Sequence, residues 1–169
     1  MVLVWLLWCT FCAMLVEAIL GNHGLLVPVL ASTCFYFTVV LGWRTALVPA
    51  ILVGSVLDMV LGRPIPTFFF LLPNVTLLAL FWRRYGDCRR RSIQAVPGAL
   101  LGGAMGLGAF ILVRVPNASL GGGLLLEGIW VVVRFTVGGM LALPVVGAVL
   151  DRASSKLALP CYHSVQEQE

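Results

Sequence analysis

Charge is what this sequence lacks. Of its 169 residues only 11% are Asp, Glu, Lys or Arg, seven acidic and eleven basic, while 60% are hydrophobic and the mean hydropathy is +1.03. A soluble domain carries about 25% charged residues and about 45–50% apolar ones. One core in a chain this size cannot hide so much apolar surface behind so little charge, which excludes a soluble globular domain, a disordered chain and a nucleic-acid binder. Histidine is equally scarce, with His23 in a turn cluster and His163 near the end of the chain. The five cysteines have no paired spacing; Cys9 and Cys12 form a CxxC by letter, yet they sit in an apolar run with no second CxxC or neighbouring histidine. They read as small apolar residues of a helix, not as a zinc or redox site. No Lys or Arg precedes the first apolar run, so the run ending at Val16-Glu17-Ala18 reads as a retained span and not as a cleaved secretory leader.

What the sequence has instead is a succession of long apolar runs. At about 20 residues per spanning helix, a chain of this length holds five or six spans and no separate soluble domain. The runs do not alternate, which argues for helices over membrane strands. The expected fold is therefore all-α, a polytopic helical membrane protein with spans at about 2–20, 25–42, 45–62, 67–82, 92–113 and 124–150. Residues 1–150 form a single transmembrane domain and 151–169 a short polar tail. The breaks are physical: the turn cluster Gly21 to Gly24, an interfacial Trp43 beside Arg44, and Arg63-Pro64-Ile65-Pro66, where two prolines deny a helix its donors.

The loops carry the orientation. Arg83, Arg84, Arg89, Arg90 and Arg91 crowd one short connection, and Arg152 and Lys156 lie in the tail. With the N-terminus inside, these residues and Arg44 all face the cytoplasm, against only Arg63 and Arg114 outside. Arg-rich short loops stay cytoplasmic, so both termini are expected there, and six spans preserve the asymmetry where five would not.

Four ionisable residues fall within spans: Glu17, Asp58, Glu127 and Arg134. Such groups are costly in a bilayer and each marks a site by default. The topology puts all four in the outer half, with Arg63 above, and Glu127 and Arg134 share a helix face two turns apart. They read as a structural ion-pair cluster, a ligand- or proton-handling site, or a docking surface; Glu17 and Glu127 could also reach outward to the interface. In the third span Gly54, Asp58 and Gly62 recur every four residues, and Gly98, Gly102 and Gly106 do the same in the fifth. Stripes of small residues let backbones approach closely, either within the bundle or against a partner protein.

Chemistry is hard to assemble from what remains. The two histidines lie on opposite sides of the membrane, and Asp58 with Glu17 or Glu127 lacks the supporting motif of a membrane aspartyl protease. No phosphate-cradling glycine loop and no metal cluster is present in the sequence. The expectation is no enzyme, no cofactor and no metal. Asn74-Val75-Thr76 and Asn117-Ala118-Ser119 match the glycosylation pattern by letter alone.

Residues 25–84 resemble the MreD family of bacterial rod shape-determining membrane proteins. The resemblance rests on Pro28 and Tyr36 ahead of a short turn, the Gly54-xxx-Asp58-xxx-Gly62 stripe, and the Arg-rich loop that follows. The chain departs from the family directly after the stripe, with Arg63-Pro64-Ile65-Pro66 in place of a small Leu-Gly type element, and elsewhere the match is one of hydropathy. The resemblance implies a non-catalytic scaffold in the bacterial inner membrane, embedded in the lipid bilayer. It implies as partners in cell-wall (peptidoglycan) elongation and cell-shape control MreC, the actin-like MreB and the RodA–transpeptidase machinery. MreD-like proteins are also similar to the substrate-binding S components of energy-coupling vitamin transporters, which have six helices and a related fold. The alternative function is accordingly a solute-binding transporter subunit. Against it, the connection after the first span is only Gly21 to Gly24 where S components have a long capping loop, and Ala13 and Ala18 are five apart where those proteins tend to show Ala-xxx-Ala.

Overall fold

Apolar runs in the absence of water close their own backbone hydrogen bonds, and helices do this within one segment. The computed structural model describes residues 2–60, 67–86, 91–114 and 124–157, and all regular structure among them is helical. In chain order the helices are α1 (Val2–Asn22), α2 (Val29–Leu41), α3 (Trp43–Val60), α4 (Thr67–Tyr85), α5 (Ala95–Ala109) and α6 (Leu124–Lys156). A 3-10 turn (Arg91–Gln94) leads into α5 and a π turn (Phe110–Arg114) follows it.

Six helices thus stand where six spans are expected, but they are not equivalent. α1, α3, α5 with its extension to Leu112, and α6 are each long and apolar enough to cross a membrane. α2 has 13 residues, about 20 Å at 1.5 Å per residue, and falls short of a hydrocarbon core about 30 Å thick. α4 has the length but not the hydropathy, since Pro73, Asn74, Arg83 and Arg84 lie along it.

α2 is the axis of the bundle. Residues 30–39 are all buried, so the helix presents no outward face; it packs against α1, α3, α4 and α6. Its hydroxyls are satisfied internally: Ser32, Thr33 and Thr38 each donate to the carbonyl four residues back, at 2.8, 2.9 and 2.7 Å. α5 lies outside this group, packed along α6 and against α4.

Several boundaries differ from the sequence-based expectation. The second helix begins at Val29, not near residue 25, because Leu25 to Val27 are non-helical and Pro28 caps the helix without an N–H of its own. α3 begins at Trp43, directly after Gly42, whose φ of 90° is open to glycine and lets one residue turn the chain. α6 does not end at Leu150 but runs on to Lys156, because Asp151 and Ser154 are buried against the bundle. The expected tail at 151–169 is therefore helical over its first six residues.

Candidate functional site

The buried carboxylates define the interior chemistry. Among the described residues three acidic side chains are buried, Glu17, Asp58 and Asp151, and each ties one helix to another. Glu17 on α1 accepts the Leu30 N–H of α2 at 2.6 Å. That N–H is one of the donors a helix N-terminus leaves without an internal partner, and Pro28 supplies no side-chain cap. A carboxylate from the neighbouring helix takes over the task, favoured further by the positive end of the α2 dipole. Asp58 on α3 repeats the arrangement by accepting the Phe68 N–H in the first turn of α4 at 2.8 Å. Asp151 on α6 accepts the Tyr36 hydroxyl of α2 at 2.7 Å, a pair 115 residues apart in sequence and buried.

The small-residue stripes lie inside the bundle. A Cβ on Gly54 would stand 2.6 Å from a methyl of Leu72 and 3.1 Å from the Phe68 Cβ, so this glycine lets α4 approach one turn from Asp58. Gly98, Gly102 and Gly106 of α5 press on the backbone of α6. A Cβ at Gly102 would meet the Phe135 carbonyl and lie 3.0 Å from the Thr136 Cα; one at Gly106 would lie 2.9 Å from the Val132 Cα. The α6 counterpart is Gly139, whose added Cβ would be 2.9 Å from the Gly102 Cα. Gly139 carries no stripe signal in the sequence, because on its own helix no glycine recurs at four-residue spacing. Gly62 lies outside the described residues.

The four ionisable groups of the apolar helices do not share one environment. Glu17 and Asp58 cap separate helices, while Glu127 and Arg134 are exposed on α6. The Arg134 guanidinium lies 5.1 Å from the ring centroid of Trp130, one turn earlier. At the basic end, Arg83 and Arg84 occupy the last turn of α4, with Arg84 over the Tyr85 ring at 5.6 Å. Arg89 and Arg90 lie outside the described residues, as do Arg63 and the side chain of Arg91.

Apolar hollows lie between the described helices. One, of about 320 Å³, lies between α4 and α5, lined by Leu71, Leu78, Leu100 and Met105 with Asn74 as its polar member. Another, about 280 Å³, runs between α1 and α6 over α2, lined by Trp5, Trp8, Thr33, Val145 and Val149 among others. Cys9, Cys12 and Cys34 are free thiols, and among the described residues no group of three His, Cys, Asp or Glu side chains is placed to hold a metal ion. The arrangement can position helices: its buried carboxylates and hydroxyls are engaged in doing so, while the buried indole N–H groups of Trp5 and Trp82 have no hydrogen-bond partner among the described residues. In comparison with known proteins, no family model matches the chain, and no curated protein or solved structure matches it.

Proposed function

We propose that this protein is a non-catalytic scaffold of the bacterial cell-wall elongation machinery, similar in role to MreD. In this reading it lies in the inner membrane with six membrane-embedded helices and both termini in the cytoplasm. It works by holding MreC-like, MreB and RodA–transpeptidase partners in place. The observation that supports it most is the use of the buried carboxylates. Glu17, Asp58 and Asp151 each accept a backbone N–H or a tyrosine hydroxyl of another helix, which serves the placement of helices. The unit that carries the family resemblance, Gly54 and Asp58 against the start of α4, is itself a joint of this kind. α2 and α4 count among the six because α2 is enclosed by spanning helices and α4 packs on it.

The second reading, a solute-binding transporter subunit, draws on the hollow between α4 and α5, which is roomy enough for a small molecule and offers it one amide, Asn74. Purification of the tagged full chain in mild detergent separates the two. The scaffold reading expects wall-synthesis membrane proteins in the eluate and no retained small molecule. An ATPase pair with a bound solute would replace it by the transporter reading.

A further inference from the structure

α5 and α6 run antiparallel, and their glycine contacts set the depth of every residue on α6. Gly98 faces Gly139, Gly102 faces Phe135 and Gly106 faces Val132, so Arg134 is level with Gly102 and Gly103. Along α5 the flanking cations are Arg91, twelve residues before Gly103, and Arg114, eleven after it; each is about 17 Å away along the axis. Arg134 therefore sits deep in the apolar layer, and it points out of the bundle, since it and its neighbours Trp130, Val137 and Leu141 are exposed. An arginine facing lipid at that depth is expensive, and a ring 5.1 Å away offsets only part of the cost.

The exposed face continues beyond it. Trp130, Arg134, Val137, Leu141, Val145 and Val149 follow one another at three- and four-residue steps, and the last two also line the groove between α1 and α6. The whole is an apolar track about 30 Å long with one cation near its upper end. We propose that this face of α6 seats a membrane-spanning helix of a partner protein that carries a carboxylate level with Arg134. The assignment rests on the scaffold reading and gives its partner a chemistry. Charge selects the occupant: a carboxylate supplies the bidentate acceptor a guanidinium matches. A second copy related by an axis along the membrane normal would instead set Arg134 against Arg134. Phosphate headgroups lie beyond a hydrocarbon layer about 30 Å thick, away from this level.

The test uses the full chain in its own host membranes, with a benzophenone photo-crosslinking side chain installed at Leu141, and separately at Leu52, an exposed position on α3. The expected result is a protein adduct at Leu141 and not at Leu52, whose crosslinked peptide is a membrane-spanning segment containing Asp or Glu. Arg134→Leu should reduce that adduct about tenfold, the size of one lost charge-assisted hydrogen bond, while Arg134→Lys keeps most of it. The Arg134→Leu protein should melt with the wild type in detergent, since the side chain is exposed. An adduct unchanged by Arg134→Leu, adducts to lipid only, or an adduct of twice the chain mass would each overturn the assignment. Rod-shaped Arg134→Leu cells beside rounded deletion cells would overturn it too and leave the scaffold reading standing. A deletion strain of normal shape would strike the scaffold reading itself.

Discussion

Gly102 and Gly103 are neighbours in one helix, and the same substitution should have opposite consequences at the two positions. At Gly103 an added Cβ meets only the Thr136 hydroxyl oxygen, at 3.4 Å; at Gly102 it meets the Phe135 carbonyl, with the carbonyl carbon at 2.8 Å and the Thr136 Cα at 3.0 Å. The obstacles at Gly102 are backbone atoms of α6, which no rotamer change removes, so α5 and α6 must part by roughly 1 Å. A gap of that size forfeits a quarter to a half of each dispersion contact of about 0.1–0.2 kcal/mol. Over the few tens of atom pairs around the Gly98–Gly106 crossing this amounts to about 1–3 kcal/mol, the usual size of an overpacking penalty. Replacing glycine by alanine in a helix also gains about 1 kcal/mol of propensity, which is common to both sites and cancels between them. Gly103→Ala is thus expected to be neutral or slightly stabilising and Gly102→Ala destabilising, read as midpoints of thermal unfolding in detergent. Equal midpoints for the two variants would refute the close approach of α5 to α6.

Glu17→Leu should destabilise the protein by about 1–3 kcal/mol, because the Leu30 N–H is left buried without its acceptor; Glu17→Gln, which retains an acceptor oxygen, should cost clearly less in the same unfolding assay. Tyr36→Phe and Asp151→Leu should each destabilise, and a double-mutant cycle should return a coupling of about 0.5–3 kcal/mol; a coupling of zero would separate α2 from the end of α6. If both termini and the Arg-rich loop are cytoplasmic, Cys88 and Cys161 should resist impermeant thiol reagents in intact cells and react once the membrane is opened. Labelling of Cys88 in sealed cells would reverse the orientation.

How far the sequence reaches into this structure depends on whether a signal is local. The helices follow from uninterrupted apolar runs, and the α5 stripe from a four-residue period that needs no partner to be seen. The start of α2 was also written locally, in Pro28, but the apolar run from Leu25 to Val29 masks it. Glu17 is conspicuous as an acid in an apolar helix, yet its partner is a backbone N–H thirteen residues on, and backbone donors leave no mark in side-chain patterns. Reading it as one of four clustered charges assumes that side-chain charges seek each other, whereas helix N-termini compete for carboxylates just as well. Asp151 lies beyond the apolar part of α6 and reads as the start of a tail; its pairing with Tyr36 ties it to the interior, and a contact across 115 residues has no sequence signature.

The proposed role is to hold the wall-elongation machinery together. Its most direct test is the shape of cells depleted of this chain. Rods are expected to round up and swell, and the wild-type gene on a plasmid to restore their width. Depleted cells that keep their rod shape and width while losing uptake of one solute would contradict that role.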